Sequence, residues 1–270
     1  MKKHYKRVLS IAGSDPSGGA GIQADLKAIS ACGCFATTAI TAVVDENTVG
    51  VTGVHPVPVD FVRGQIISVL DDIGADAVKI GMLHSSELIR TVKETLLQYN
   101  IGNIVLDPVM VATSGDKLLQ DEAIKTLKNE LIPCVRIITP NIPEAEILAG
   151  RKISNQCELP EVAKELSQGR QVSVLLKAGH LKDDEVNDIF YDAEADSITE
   201  LKSPRIATRN THGTGCTLSS ALAAFLALGN PPAEAAKKAK DYIYNALLAG
   251  SEYEIGKGHG PVHHFYPFWE

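Results

Sequence analysis

Strand-like and helix-like segments alternate along the whole chain, and this alternation constrains the fold more than any other feature. The strand candidates are short apolar runs, as is typical of strands covered on both faces. They are Val8–Ala12, Phe35–Val44, Ala77–Ile80, Ile104–Leu106, Arg136–Thr139, Val172–Lys177 and Val186–Tyr191. Such an order predicts βαβ units, and therefore an α/β fold in three layers with a mostly parallel central sheet flanked by helices.

The segments between these strands have helical periodicity. The predicted helices are Ala20–Ala31, Pro58–Asp71, Ser85–Gln98, Gln120–Leu131, Ile142–Ala149, Leu159–Gln168, Thr214–Leu228 and Pro232–Ala249. The last begins at a pair of prolines and is followed by Gly250, which are common helix start and stop signals. Because no linker or repeat interrupts the alternation, residues 1–270 are predicted to form a single domain.

Two segments break the alternation. Glu185–Lys202 contains two strand-like runs in succession, which predicts an antiparallel hairpin at a sheet edge. Val49–Val57 predicts a further strand pair outside the main sheet. Ligands of parallel sheets bind at the carboxyl ends of the strands, so the residues that follow strands are the candidates for a functional site.

Charge and cysteine content exclude several classes of protein. The formal net charge is -7, whereas nucleic-acid binding favours a basic surface. No apolar run reaches the length of a membrane span. The cysteines are Cys32, Cys34, Cys134, Cys157 and Cys216. Their odd count and irregular spacing do not indicate a disulfide framework, and we expect a cytoplasmic protein.

A glycine-rich loop, Gly13 to Gly21, follows the first strand. Glycines allow backbone N–H groups to approach an anionic ligand closely, and the helix that follows favours negative charge. Read loosely, Gly19–Ala24 also matches the GxGxxG/A fingerprint of dinucleotide-binding proteins, which makes an NAD-dependent dehydrogenase an alternative. The six residues between Ala12 and Gly19 make this loop long for a pyrophosphate turn. A loop that only reverses the chain is the remaining interpretation.

A second glycine motif, Thr211 to Thr217, opens an Ala- and Leu-rich helix. Gly213, Thr214 and Gly215 would present free N–H groups to a phosphoryl group in transfer. Cys216 falls near the helix start, where the dipole lowers a thiol pKa, and is a candidate base for a substrate hydroxyl. The alternative is a buried, inert cysteine. No Gly-Lys-Ser/Thr sequence is present, which excludes the P-loop class.

Charged residues also follow the later strands. Asp107 and Glu144 are carboxylates at strand ends, and together they can hold Mg²⁺ through water beside ATP phosphates. The alternative for Asp107 is a turn residue before a proline, and the alternative for Glu144 is a carboxylate in the first turn of a helix. Lys177 ends a buried strand, where its ammonium group needs an anion. His263 and His264 match no metal-site spacing and are interpreted as structural.

Taken together, these motifs resemble the hydroxymethylpyrimidine/phosphomethylpyrimidine kinases of thiamine biosynthesis, within the ribokinase-like superfamily. The resemblance runs from about Val8 to Phe265, and its strongest stretches are Ile11–Lys27, Lys79–Leu83, Ile138–Asn141, Asn210–Thr217 and Gly260–His264. It implies a homodimeric enzyme that uses ATP and Mg²⁺. The enzyme would phosphorylate 4-amino-5-hydroxymethyl-2-methylpyrimidine, and would then phosphorylate this monophosphate to the diphosphate.

The resemblance also implies the residues of the site. Those near the pyrimidine are Gly13, Asp25, Val44, Glu46, Met82 and Val109. ATP would lie near Lys177, Thr211 and Lys240, and Mg²⁺ near Asp107, Asn141 and Glu144. Residues 213–216 would form an anion hole, with Cys216 where related sugar kinases carry an aspartate base. Because only the first step removes a proton from a hydroxyl, we expect Cys216→Ala to harm the first phosphorylation more than the second.

One position departs from the family pattern. Asp45-Glu46-Asn47-Thr48 stands where the family usually reads Ala-Gln-Asn-Thr. A glutamine amide both donates and accepts hydrogen bonds, whereas an ionised Glu46 only accepts, so a proton on Glu46 or on the pyrimidine ring would be needed. A kinase of pyridoxal, pyridoxine or pyridoxamine, with the same fold and site, is therefore an alternative. A non-catalytic ligand-binding module is another, although such a module has no need of the transfer residues.

Overall fold

The computed structural model describes residues 2–110 and 119–269 of the chain. The strands in these ranges are β1 (Arg7–Ala12), β2 (Phe35–Ile40), β3 (Ala42–Asn47), β4 (Gly50–Pro56), β5 (Ala77–Ile80), β6 (Ile104–Leu106), β7 (Ile137–Ile138), β8 (Ser173–Leu176), β9 (Glu185–Asp192) and β10 (Ser197–Pro204). The α-helices are α1 (Gly21–Ala31), α2 (Val59–Asp72), α3 (Ser86–Leu97), α4 (Asp121–Thr126), α5 (Ile142–Ala149), α6 (Leu159–Leu166), α7 (Thr214–Ala227) and α8 (Pro232–Gly250). After α4 the chain continues through a π-helical turn, Leu127–Leu131. Among the helices of these two ranges, none combines the length and the hydropathy that a membrane crossing requires.

Eight strands form the main sheet, in the order β10-β9-β8-β7-β6-β5-β1-β2. The strands from β8 to β2 in this order pair in parallel. β9 is antiparallel to both β8 and β10, so the last two strands form a hairpin at the sheet edge. The predicted parallel sheet and the predicted edge hairpin are both confirmed. The parallel alignment brings the carboxyl ends of β1, β5, β6, β7 and β8 to one edge, where ligands of such sheets bind.

The main sheet separates two apolar cores, because successive side chains of a strand point to opposite faces. In β1, Leu9 and Ile11 belong to the core formed with α2 to α6. Val8, which precedes Leu9 and points to the opposite face, belongs to the core formed with α1, α7 and α8. All three side chains are fully buried. Helices therefore cover both faces of the sheet, and the predicted three-layer α/β fold is confirmed.

β3 and β4 form a separate antiparallel ribbon. The prediction of one strand over Phe35–Val44 was wrong, because this segment is split between β2 and β3. The predicted strand pair at Val49–Val57 does lie outside the main sheet, but this segment supplies one strand, β4, whose partner is β3. β1 ends at Ala12, whose register partner is Ile40, so the chain beyond this point loses its neighbour in the main sheet and pairs with β4 instead. Thr41 holds the branch point, because its Oγ1 donates to the carbonyl of Met82 at 2.9 Å.

Candidate active site

A cleft of about 690 Å³ opens at the carboxyl-end edge of the main sheet, and the β3–β4 ribbon forms one of its walls. The sequence-predicted site residues that line it are Gly13, Val44, Glu46, Met82, Asp107, Val109, Asn141, Glu144, Lys177, Thr211, Gly213, Thr214, Gly215, Cys216 and Lys240. Asp25 is the exception. The fold therefore gathers into one cleft residues that are distributed along most of the chain, because the strand ends that carry them share one edge.

The first glycine loop is wrapped around the carboxylate of Asp15. This buried group accepts hydrogen bonds from the backbone N–H of Ser17 (2.7 Å), Gly19 (3.0 Å) and Ala20 (2.6 Å), and from the Ser17 hydroxyl (2.9 Å). The loop amides that an external anion would need are thus already used by a side chain of the loop itself. The expectation that this loop cradles an anion was wrong, and the dinucleotide interpretation loses its pyrophosphate site for the same reason.

The second glycine motif leaves the first turn of α7 open to the cleft. Gly213 precedes α7 in the left-handed conformation (φ +75°), and the helix has no side-chain cap. A Cβ atom at Gly213 would overlap the carbonyl oxygen of Gly19, so the two glycine motifs pack directly against each other. An uncapped helix start carries free N–H groups and partial positive charge. This end of the cleft is therefore suited to a phosphoryl group.

Cys216 lies in that first turn and is partly exposed in the cleft. Burial of its thiol, together with the nearby carboxylates of Asp25 and Asp107 and against the opposing charge of Lys79, raises its pKa to about 11. Its position near the helix start had predicted that the dipole lowers this pKa, and that prediction was wrong. Desolvation of the thiolate and two buried negative charges outweigh the partial charge of the helix end.

Asp107 and Lys177 form an ion pair in the floor of the cleft. Lys177 Nζ lies 2.9 Å from Asp107 Oδ1, and the Thr139 hydroxyl donates to the same oxygen at 3.0 Å. Burial opposes ionisation of Asp107, but the charges of Lys177 and Lys79 hold its pKa below the usual range. The sequence predicted that the Lys177 ammonium needs an anion, and the Asp107 carboxylate is that anion.

Glu144 stands beside this pair at the start of α5. Burial, opposed by the charge of Lys177 and supported by that of Asp107, raises its pKa to about 7. Asn141 Oδ1 accepts from the Glu144 amide (2.9 Å), and Glu144 Oε2 accepts from the Asn141 amide (2.8 Å), which is a complete capping box. Its alternative role as a first-turn helix carboxylate is thus confirmed. Two neighbouring carboxyl groups with pKa values shifted in opposite directions are typical of functional sites.

Lys240 and Thr211 lie where the cleft approaches the β9–β10 hairpin. Lys240 Nζ is 2.8 Å from Asp188 Oδ2, and the other oxygen of Asp188 accepts from the Ala178 amide at 2.7 Å. Thr211 is exposed, and its carbonyl accepts from the Thr214 hydroxyl at 2.6 Å. Lys240 is therefore already paired, while Thr211 leaves its side chain to the open part of the cleft.

Asp25, predicted to contact a substrate, lies beneath the cleft. Its side chain has no exposed surface, and its two oxygens lie 2.9 and 2.8 Å from Lys79 Nζ. Ser10 Oγ and Ser220 Oγ also donate to it, at 2.5 and 2.7 Å. A direct substrate contact would require this carboxylate to leave a buried, fully paired position. Asp25 is buried rather than in contact with substrate because three elements that are distant in sequence place polar side chains against it: Ser10 from β1, Lys79 from β5 and Ser220 from α7.

His212 and Glu46 complete the site, and His212 and Asp15 were not predicted as site residues. His212 Nε2 lies 2.8 Å from Asp15 Oδ2 and 4.0 Å from Glu46 Oε1. Burial disfavours the imidazolium, but the hydrogen bond and charge of Asp15 raise the pKa of His212 overall. The same contact, with those from Ser17 and Ala20, overcomes burial and holds the pKa of Asp15 well below its usual range. Both residues stand in glycine motifs, which was the available signal, but they are 197 positions apart in the chain.

His264, interpreted as structural from the sequence, is buried behind α7. Its Nε2 lies 3.0 Å from the Thr217 hydroxyl, and its carbonyl accepts from the Tyr242 hydroxyl at 2.7 Å. Burial lowers its pKa to about 3, so the ring is neutral at ordinary pH. These contacts join α7, α8 and the C-terminal segment, which confirms the structural interpretation for His264.

Comparison with known proteins agrees with this geometry. A family described as phosphomethylpyrimidine kinase matches residues 15–263. The hydroxymethylpyrimidine/phosphomethylpyrimidine kinase of Rhizobium meliloti (strain 1021) is 46% identical over 97% of this chain and 98% of its own length.

Solved structures are also similar over most of the chain. A phosphomethylpyrimidine kinase from Clostridium difficile 630 is 42% identical with a TM-score of 0.78, over 89% of this chain and 99% of its own. The pyridoxal kinase of Staphylococcus aureus in complex with ADP is 32% identical with a TM-score of 0.89, over 99% and 97%. The ribokinase-like fold implied by the sequence is confirmed. The chain belongs to the phosphomethylpyrimidine kinase family.

Proposed function

We propose that this chain transfers the γ-phosphoryl group of ATP to 4-amino-5-hydroxymethyl-2-methylpyrimidine, and then transfers a second one to the resulting monophosphate. The observation that carries this proposal is the cleft, in which an uncapped, glycine-preceded helix start faces an apolar recess at the carboxyl ends of β1 and β5. The names and the high identity of the relatives support it. The product belongs to thiamine biosynthesis.

The apolar recess is the proposed pyrimidine site. Val44, Met82 and Val109 line it together with Gly13. A Cβ atom at Gly13 would lie 2.6 Å from Met82 Cε and 3.8 Å from Val44 Cγ2, so the absence of a side chain at this position leaves room against the Met82 thioether. A narrow apolar slot of this kind favours a flat ring, whose hydroxymethyl group would then point toward α7.

The proposed ATP site lies between Lys177, Thr211 and Lys240, with the phosphates directed at residues 213–216. The donor set near Asp107 fits Mg²⁺, because Asp107 and Glu144 supply hard carboxylate oxygens and retain acceptor positions for bridging waters. Asn141 contributes less, since its Oδ1 already caps α5. When bound, the ion would supply neutralisation of phosphate charge. Lys177 would add a fixed positive charge at the same place.

Two sets of protein groups would have separate roles in the phosphoryl transfer. The amides of the first turn of α7 would hold the transferred phosphoryl oxygens, which is electrostatic stabilisation in a preorganised site. Cys216 is the group in that turn able to take the proton of the substrate hydroxyl. In the second step the nucleophile is a phosphate oxygen, so positioning and charge neutralisation suffice.

A pyridoxal kinase is the second candidate. The observation in its favour is the high structural similarity to the pyridoxal kinase of Staphylococcus aureus, at a TM-score of 0.89. Its identity of 32% is, however, lower than the 46% shared with the pyrimidine kinase of Rhizobium meliloti. We therefore place the pyrimidine first.

The deciding experiment is ADP release with MgATP, comparing the hydroxymethylpyrimidine, its monophosphate and pyridoxal. We expect turnover of both pyrimidines and much slower turnover of pyridoxal. Turnover of pyridoxal alone would move the protein to vitamin B6 salvage. A ligand-dependent rise in melting temperature without ADP release would instead indicate a binding module.

We further propose that the protein is a homodimer, as the family resemblance implies. Exposed apolar side chains on and beside the β3–β4 ribbon support a partner surface there: Val43 is 53% exposed, Val49 71% and Val54 43%. Sedimentation equilibrium measures the mass directly, and a monomer at micromolar concentration would contradict this proposal. A single domain and a cytoplasmic location remain predictions from the sequence.

A further inference from the structure

One carboxyl group, that of Glu46, faces the proposed pyrimidine recess from the β3–β4 ribbon. Its side chain is 18% exposed and lines the cleft with Val44, two positions earlier on the same strand. Among the residues that the structure describes, no side-chain hydrogen bond joins Glu46 to another protein group. A half-buried carboxyl without a hydrogen-bond partner is costly in a cleft, and it is therefore available to a ligand.

The closest charged group to Glu46 is His212, but this ring is committed elsewhere. His212 Nε2 makes a 2.8 Å contact with Asp15, compared with 4.0 Å to Glu46 Oε1. The Asp15–His212 pair therefore acts on Glu46 as a fixed, buried set of charges. It does not supply the hydrogen bonds that the Glu46 carboxyl lacks.

A bound cation is not the natural occupant of this place, although Asp15, Glu46 and His212 have ligand atoms within 4.8 Å of one another. Asp15 already accepts from Ser17 N, Ser17 Oγ, Gly19 N, Ala20 N and His212 Nε2. A carboxylate offers about four acceptor positions. Four of these five contacts fall on Oδ2, the oxygen beside His212 Nε2, so that oxygen has no acceptor position left for a metal ion. This leaves a ligand with hydrogen-bond donors as the occupant next to Glu46.

An aminopyrimidine presents an edge on which a ring nitrogen accepts a hydrogen bond and the adjacent exocyclic amine donates one. A neutral amide side chain complements this edge without any change of protonation. A carboxylate complements it only with one additional proton, held either on the ring nitrogen or on the carboxyl oxygen. In the first case the pair is a bidentate, charge-assisted contact of the kind that makes strong hydrogen bonds.

We propose that Glu46 couples substrate binding to the uptake of one proton and thereby selects ligands that carry a ring nitrogen beside an exocyclic amine. This inference rests on the proposed function and deepens it, because it names the chemical form of the substrate that the site accepts. No bond between heavy atoms is made or broken in this step: one O–H or N–H bond forms at Glu46 or at the ring nitrogen, and one breaks in the solvent acid that gives the proton. The proton comes from solvent and returns to solvent when the substrate or product leaves.

The charges around Glu46 favour a proton on its carboxyl group or on the ring nitrogen beside it. Burial raises the pKa of Glu46, the charge of Asp15 raises it further, and His212 opposes this shift. Asp15 lies in the loop after β1 and His212 in the loop before α7, while β4 places the apolar Val51 opposite Glu46 in the ribbon register. Among the described residues, these two are the charged groups whose fields reach the Glu46 carboxyl.

The experiment measures hydroxymethylpyrimidine binding by titration calorimetry in two buffers of different ionisation enthalpy, near pH 8, with ADP-release kinetics in parallel. Wild type is compared with Glu46→Gln, and with Asp45→Asn as a matched loss of one exposed charge at the adjacent position of β3. We expect wild type and Asp45→Asn to take up close to one proton per substrate. Glu46→Gln is expected to take up almost none.

The pH dependence gives a second readout. Since binding consumes a proton, the Kd of wild type rises with pH. The rise reaches about tenfold per pH unit once the pH exceeds the pKa values that the Glu46 carboxyl and the ring nitrogen have before they bind each other. The Kd of Glu46→Gln is expected to stay nearly constant over the same interval. Thermal unfolding of each variant checks that it is folded.

The outcomes separate the two proposals. If wild type turns over both pyrimidines but takes up no proton near pH 8, the inference about Glu46 is wrong and the proposed function stands. The same conclusion follows if Glu46→Gln takes up as much as wild type. If wild type neither binds the pyrimidine nor releases ADP with it, the proposed function fails, and the inference fails with it.

Discussion

Cys216 shows how far the chemistry of one residue depends on its surroundings. With a thiol pKa of about 11, only about one molecule in ten thousand carries the thiolate near pH 7. The thiolate would be a strong base but a rare one. A role for Cys216 in deprotonating the substrate hydroxyl must then leave a clear mark on the pH dependence of the first step.

We predict that the rate of the first phosphorylation rises with pH through the neutral and alkaline range, by up to about tenfold per unit, because the thiolate fraction grows until the pH reaches the thiol pKa. The second phosphorylation, whose nucleophile is already ionised, is expected to be nearly flat. Cys216→Ala should remove the slope of the first step and slow it more than the second. Single-turnover rates of both steps across pH measure this, and equal slopes or equal losses would contradict the base role.

At the scale of elements, α7 is the helix on which the site depends. Gly213 begins it and Gly229 follows its end, and both adopt the left-handed conformation, with φ of +75° and +88°. Their surroundings differ. A Cβ atom at Gly213 would collide with the backbone of the first glycine loop, whereas nothing lies within 4 Å of a Cβ atom at Gly229.

We predict that Gly229→Ala lowers the free energy of unfolding by about 1–2 kcal/mol, the cost of a left-handed alanine, and leaves ADP release unchanged. Gly213→Ala has the same backbone cost and an additional steric one, so it should destabilise more and abolish ADP release by displacing the helix start from the phosphoryl position. Urea unfolding and ADP release of the two variants test this. Similar losses of activity in both would show that the contact with Gly19 is not what positions α7.

At the scale of the whole molecule, one buried ion pair joins the sheet to a helix layer. Lys79 of β5 and Asp25 of α1 are both fully buried, and hydroxyl groups from β1 and α7 complete the environment of the carboxylate. Burial disfavours the charged lysine, but the charges of Asp25 and Asp107 raise its pKa overall. The pair lies directly under the cleft, where it supports the loops that carry the site.

We predict that Lys79→Met lowers the free energy of unfolding by about 3–5 kcal/mol, because it leaves Asp25 as an uncompensated buried charge. The matched control is Lys152→Met, which breaks a 2.7 Å ion pair with Glu146 whose lysine is 87% exposed. That change should have little effect, since solvent screens exposed pairs. Urea unfolding of both variants measures the difference, and an equal small effect would mean that Asp25 is neutralised in another way.

Much of the architecture was predictable from local sequence pattern. The bounds of β5, β6 and α5 were predicted to the residue, and the edge hairpin followed from two strand-like runs in succession. Residues that follow parallel strands, such as Asp107 and Glu144, could be assigned to one edge because parallel topology itself places them there. These inferences work because periodicity, helix caps and turns are decided by neighbours a few positions away.

The sequence by itself therefore determined the layers of the fold, the edge of the sheet that carries the site, and the presence of two glycine motifs. Only the tertiary structure decided that Asp15 closes the first motif, that Asp25 is buried against Lys79, and that β3 leaves the main sheet. It also decided the raised pKa of Cys216. The physical reason is that desolvation, ion pairing and strand pairing depend on contacts between residues that are far apart in the sequence. The local sequence pattern does not specify those contacts.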